Sequence, residues 1–320
     1  MQRHPLNSAR RAFLRRASHL ALAGTAAPLA LNLAALGEAA AFDATDYKAL
    51  VCVFLLGGND HANTVVHADA ARHALYQRIR GGLAVPREAL GATLLRPATA
   101  LPADMQFALH PEMGALAALF NSGQAAVLMN VGPLVMPVTK AQVLAGDTQR
   151  HPVPPKLFSH NDQASVWQAN NPEGATRGWG GRMGDLALAD NGGSLFTFTS
   201  ATGSSLFVSG DQALSYQVSR NGPVAIRPLS GGVYGASSML PTLRELITEP
   251  RAHELEQAYN RVTARSIANE GRLSAALAPV QLGTGFPDGN RLAAELRVVA
   301  RLIAARQALG VKRQVFLCTL

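Results

Sequence analysis

The chain has 320 residues, of which 48% are hydrophobic and only 16% charged, against about 25% charged in an ordinary soluble protein. A disordered or collagen-like chain is excluded. The length suffices for one large α/β domain or two ordinary ones, either of which buries enough apolar surface to fold without a disulfide or metal staple. Two cysteines, Cys52 and Cys318, cannot make a disulfide framework.

The net charge of +8 and the pI near 10.1 suggest an anionic partner until the basic residues are located. Arg3, Arg10, Arg11, Arg15 and Arg16 all lie within the first sixteen residues. Ala17 to Gly37 then contains no Asp, Glu, Lys or Arg, and Ala39-Ala40-Ala41 precedes Phe42. This is the three-part plan of a secretory signal. The adjacent arginines followed by Phe13-Leu14 point to the twin-arginine pathway, whose translocase moves folded cargo.

The uncharged run approaches the roughly 20 residues that span a bilayer. It is dominated by alanine, however, and broken by Pro28 and Asn32. Residues 1–41 are therefore read as a leader cleaved after Ala41, which places the product in the periplasm or outside the cell. Without them 24 basic and 20 acidic residues remain, a net +4 over 279 residues. No basic run in that remainder is interleaved with aromatics that could stack bases, so nucleic acid is not an expected partner.

Tyr47 to Leu56 is apolar on both faces after its first residues and ends in Gly57-Gly58-Asn59-Asp60, the pattern of a buried parallel strand. His110-Pro111 opens a helix with Leu116, Leu119 and Phe120 on one face and Gly123 at its end. Ala125 to Val131 reads as a second buried strand, and strand, helix, strand begins an α/β sheet.

Gly132 to Phe158 holds five prolines and little periodicity, so a long connection is predicted. Helices follow over Ser159 to Asn170 and Gly178 to Leu188. Near 195–229 short alternating strands with an Asn221-Gly222 turn suggest an antiparallel insert or an edge of the sheet. Pro241 to Ala278 is mostly helical. Asn290 then opens an amphipathic helix with Leu292, Leu296, Val299, Ile303 and Leu309 inward and Arg297, Arg301 and Arg306 outward, closed by Gly310. Val315 to Leu320 is a last buried strand.

Two places could carry chemistry. Asn59-Asp60-His61 follows the first strand, and Asp60 offers a hard oxygen to Mg²⁺, Mn²⁺ or Ca²⁺, or to Zn²⁺ if His61 joins it. The bland alternative is an Asx turn in which Asn59 or Asp60 bonds nearby amides. Ser159, in Ser159-His160-Asn161-Asp162-Gln163, starts a helix, where backbone amides and the dipole favour an anion and a nucleophile could meet a phosphate or sulfate ester. The same residues also spell a reciprocal capping box between Ser159 and Asp162. Arg177-Gly178-Trp179-Gly180-Gly181-Arg182 could close over an anion, or be a glycine-rich turn before a packed helix.

Taken in order, the twin-arginine leader, the strand ending in Gly57-Gly58-Asn59-Asp60, His110-Pro111, Val131-Gly132, Ser159-His160-Asn161-Asp162-Gln163 and Gly178-Trp179-Gly180-Gly181-Arg182 resemble an exported bacterial family, domain of unknown function 1501. That family is similar to the alkaline phosphatase and sulfatase superfamily. The resemblance implies a doubly wound, mainly parallel sheet over residues 42–320. It also implies Asp60 as a metal-binding acid and Ser159 as the nucleophile or its remnant.

The superfamily draws further ligands from patterns such as Gly-Gly-Phe-Asp-Thr-His and a later Asp-His-Gly, and this sequence contains neither. An incomplete sheet at the carboxy-terminal end and a partial metal site are therefore expected. The implied activity is hydrolysis of a phosphate or sulfate ester of a small molecule or glycan by the complete form. The alternative is a non-catalytic envelope protein that binds a glycan or an exported partner.

Overall fold

A computed structural model of the chain describes residues 46–57, 59–102, 104–171, 174–212, 214–231 and 235–320. The expected leader, with the cleavage expected after Ala41, and Gly58 lie outside the described residues. The chain divides into two units, one running to Phe54 and resuming at Leu134, the other formed by Leu55–Pro133.

The apolar run after Tyr47 forms β1 (Lys48–Phe54), the first strand of the larger unit. The smaller unit then holds α1 (His61–Thr64), β2 (Val65–His67), α2 (Ala70–Arg80), β3 (Phe107–Leu109) and α3 (Gly114–Asn121), joined by short 3-10 turns. β2 and β3 pair antiparallel with Val66 opposite Ala108. Because strand side chains alternate, Ala108 packs with Val66, Val85 and Leu90, while Phe107 and Leu109 pack with Leu95 and Ala117. α2 starts where the Asp69 carboxylate accepts the Arg72 amide at 2.8 Å.

α3 follows the expected His110-Pro111 start, with Gly123 in the left-handed region at φ +76° beyond its end. Its inward face is Met113, Ala117 and Phe120, spaced i, i+4, i+7. Leu116 and Leu119, expected to share that face with Phe120, are exposed. The expected strand Ala125–Val131 does not form: only Val127 joins the core, and Leu128 is 85% exposed. An apolar composition suits a strand, but only a neighbouring strand satisfies its backbone, and no strand pairs with this run among the described residues.

The larger unit continues with α4 (Lys140–Ala145), α5 (His160–Ala169), α6 (Trp179–Ala187), β4 (Phe198–Ser200), β5 (Tyr216–Gln217), α7 (Arg227–Gly231), α8 (Leu240–Thr248), α9 (Glu254–Leu277), α10 (Arg291–Ala304), α11 (Arg306–Leu309) and β6 (Arg313–Thr319). α4 interrupts the connection expected to lack structure, and a Thr139–Gln142 capping box starts it.

The sheet order is β1-β6-β4-β5 and every pair is parallel. The antiparallel pairing expected near 195–229 is therefore confined, among the described residues, to the Ser219–Gly222 turn. The other expectation for this segment, an edge of the sheet, is met, since β5 is an outermost strand. Alternation reports which face a side chain takes and carries no information on strand direction, which is why the antiparallel alternative failed.

Helices cover both faces. On one, Phe316 and Cys318 of β6 pack with Leu273 and Leu277 of α9, Val298 and Leu302 of α10, and Leu309. On the other, Val315 and Leu317 pack with Phe198, Phe207, Leu50, Cys52 and Trp179. The unit is thus an α/β layer structure around a short parallel sheet. Cys52 and Cys318 point to opposite faces, so no disulfide joins them.

Both ends of the central strand are pinned. The Asn191 Oδ1 accepts the Lys312 and Arg313 amides at 2.8 and 3.1 Å. At the far end the buried Glu295 accepts the Thr319 amide on Oε2 at 3.0 Å and the Arg291 Nε on Oε1 at 3.2 Å. α10 begins at Asn290 as its sequence indicates, and Gly310 at φ +68° ends α11. The deepest residues of α10 are Ala293, Glu295, Val298, Val299 and Leu302; Leu292, Leu296 and Ile303 are half-buried beside them.

Candidate functional site

The Pro-rich connection turns sharply before α5, where Lys156 and Phe158 both take left-handed backbone at φ +52° and +70°. Two such residues within three positions are strained, and they fold the connection back onto the first turn of the helix. Ser159 sits at the N-cap of α5, as its sequence indicates, and its carbonyl accepts the Gln163 amide at 2.9 Å.

Its hydroxyl makes no capping bond to the backbone. The Ser159 Oγ instead donates to Asp162 Oδ2 at 2.6 Å, a short charge-assisted bond. The Lys156 Nζ lies 3.3 Å from the other oxygen of that carboxylate, whose side chain is 5% exposed. The reciprocal capping box is replaced by a Lys156–Asp162–Ser159 chain of side chains. The hydroxyl proton is thereby directed to Asp162 and the oxygen lone pairs are left to face other groups. His160 is exposed beside it.

α5 is fixed from its far end. The Trp167 carbonyl accepts the Trp179 Nε1 at 2.9 Å, and the Ala169 carbonyl accepts an Arg182 Nη2 at 3.1 Å. The Gln168 Oε1 accepts the Ser205 hydroxyl at 2.7 Å and the Phe207 amide at 3.2 Å. The neighbouring glycine motif serves the same packing. A Cβ on Gly178 would collide with the Leu206 carbonyl, and one on Gly184 would fall inside the Phe198 ring. Arg177, weighed as a group that could close over an anion, pairs with Asp211 at 2.7 Å. The glycine-rich segment therefore reads as a packed helix start.

Asp60 lies in the smaller unit, at the start of α1. Its Oδ2 accepts from the Asn63 Nδ2 at 3.0 Å and forms an ion pair with the Arg80 guanidinium of α2. Asn63 also donates to the Leu83 carbonyl at 2.9 Å and accepts the Tyr76 hydroxyl at 2.5 Å. The loop is held by this side-chain network; no side-chain cap from Asp60 to the α1 backbone forms. His61 is exposed.

These donors do not fit a divalent cation. A guanidinium and an amide already satisfy one oxygen of the single carboxylate, and hard cations need six or more oxygens. Among the described residues no three His, Cys, Asp or Glu side chains gather as metal ligands would.

Asp60 and Ser159 thus belong to different units, and each is held by its own partners. Asp162 was legible as the residue three places after Ser159. Lys156 and Arg80 were not identified from the sequence. Comparison with family models, curated proteins and solved structures found no match to the chain.

Proposed function

We propose that this chain is an exported protein of the alkaline phosphatase and sulfatase type, whose complete form hydrolyses an ester of phosphate or sulfate on a small molecule or glycan. The observation that carries this reading is the Ser159 hydroxyl, which is engaged with the buried Asp162 carboxylate and leaves the backbone uncapped. Ser159 Oγ attacks the phosphorus or sulfur and its proton passes to Asp162. As the ester bond breaks, Asp162 hands that proton to the departing oxygen, releasing the alcohol. Water then cleaves the seryl ester, giving a proton back to Asp162 and from there to Ser159 Oγ. Lys156 offsets the negative charge of Asp162 where an anionic substrate arrives, and the positive end of the α5 dipole favours the same charge.

The twin-arginine leader carries the export half of the proposal. In the same reading a metal such as Zn²⁺, Mn²⁺, Mg²⁺ or Ca²⁺ at Asp60 requires Arg80 to turn away and further ligands to arrive. The Arg80–Asp60 pair therefore favours the second reading, a non-catalytic envelope protein that binds a glycan or an exported partner.

Turnover of aryl phosphates and aryl sulfates separates the two. It is measured with Mn²⁺, Zn²⁺ or Ca²⁺ supplied, on the chain and on a form carried to the end of its reading frame. The hydrolase reading expects turnover that falls at least about 100-fold in Ser159→Ala. Absence of turnover in both forms leaves only the binding reading.

A further inference from the structure

α9 has 24 residues, about 36 Å of helix at 1.5 Å per residue, and the apolar core holds only its end, where Leu273, Ala276 and Leu277 are buried. Near its start one side is committed to the preceding segment, as the Asn260 amide donates to the Glu249 carbonyl at 2.6 Å. The other side carries Leu255, Tyr259 and Val262, which are 75%, 68% and 59% exposed. Their i, i+4, i+7 spacing makes a single stripe. Scattered exposed apolar residues are ordinary, but a continuous stripe on one helix marks a surface that meets something.

The charges beside the stripe say what. At 100° per residue Glu254, Arg261 and Arg265 fall along one flank, and all three are exposed. In two such helices crossed antiparallel about an axis at Tyr259, a residue before Tyr259 faces one about as far after it. Leu255 then meets the second copy's Val262, Tyr259 meets itself, and Glu254 faces Arg265, each contact made twice. Parallel alignment would set Glu254 against Glu254 and Arg265 against Arg265. Next to the stripe an open hollow of about 530 Å³, lined by Arg251, Leu255, Glu256, Tyr259 and Asn260, gives side chains from a second copy room to seat.

We infer that α9 joins two copies of this chain antiparallel about a two-fold axis at Tyr259. Such an interface is isologous, as a closed dimer requires. One helix face per copy buries less than the roughly 800 Å² per partner of a standard interface, so the dimer is reversible and concentration-dependent.

Sedimentation of the full chain over a concentration series is the test. Arg265→Glu and Glu254→Arg should each weaken the dimer at least about tenfold, since each sets like charges face to face twice. The combined Glu254→Arg, Arg265→Glu chain should return to within about threefold of the parent. Tyr259→Cys should join into a covalent dimer with a short thiol crosslinker. Ala275→Cys, exposed on the same helix but far from the axis, and the parent chain with Cys52 and Cys318 should not. A chain monomeric at about 200 µM, a dimer indifferent to both charge reversals, or a Tyr259→Cys chain shielded from the crosslinker by some other occupant would each overturn the assignment.

Discussion

A serine at a helix start can spend its hydroxyl on an orphan backbone amide or on a neighbouring side chain, and Ser159 takes the second course. The two uses have different energetic signatures. A cap removed by Ser→Ala typically costs about 1 kcal/mol, independently of what stands three residues on. A hydroxyl bonded to a buried carboxylate shares its energy with that carboxylate. In urea melts Ser159→Ala and Asp162→Asn should each destabilise the chain by about 1–3 kcal/mol. The double variant should cost about 1–2 kcal/mol less than the two together, because one bond is lost only once. Additive effects would return Ser159 to a capping role.

At this scale the Ser159–Asp162 pair is legible in the sequence and its setting is not. The spacing of Ser159 and Asp162 is local and can be read by eye. Lys156 reaches Asp162 only because Lys156 and Phe158 adopt left-handed backbone, which no residue preference announces. Arg80 stands twenty positions from Asp60, and its arrival depends on how α2 folds back over the loop.

Among the elements, α6 shows one residue type used for close approach. Gly184 rests against the fully buried Phe198, with a Cβ's place already filled by the ring. Gly184→Ala gains up to about 1 kcal/mol of helix propensity but overpacks a core that cannot yield, which costs about 1–3 kcal/mol or more. A net loss of stability is expected. Gly271, in the interior of α9 toward its C-terminal third, has open space where its Cβ would go, so Gly271→Ala should stabilise by about 0.5–1 kcal/mol. The same substitution with opposite signs, read by thermal melting of the two variants, checks the packing of both helices.

Elements whose signal is local were legible: β1 and β6 from their apolar runs, α10 from its period and its Asn290 cap. Those that depend on a partner were not. Ala125–Val131 has strand composition without a strand beside it, and the direction of β4 and β5 follows from the strands they pair with.

Across the whole larger unit, the parallel sheet buries ionisable groups whose neutral forms the fold favours. Burial pushes the Cys318 thiol up to about 12, with Glu295 and Cys52 adding to it. It pushes the Tyr47 phenol up to about 12 as well, against a smaller opposing effect of Arg306. Burial also raises Cys52 and Tyr216. The two cysteines sit on opposite faces of the sheet, so the effect reports the packing of both layers. In the unfolded chain these thiols and phenols release their protons near their ordinary values of about 9 and 10, while the folded chain still holds them.

The native state therefore binds more protons than the unfolded state throughout that interval, and stability must fall as pH rises through it. The contribution is fully present below about pH 9 and is lost between about 9 and 12. Calorimetric melts should be flat in this respect up to pH 9 and decline steeply beyond it, approaching two protons' worth of slope near pH 11 from Cys318 and Tyr47. Each proton contributes about 1.4 kcal/mol per pH unit. Cys318→Ala lowers stability at neutral pH by leaving a small cavity on the α9–α10 face, yet it should flatten the alkaline decline by about one proton. A variant with an unchanged slope would mean that Cys318 ionises as freely in the folded chain as in the unfolded one, and that the α9–α10 layer does not seal that face of the sheet.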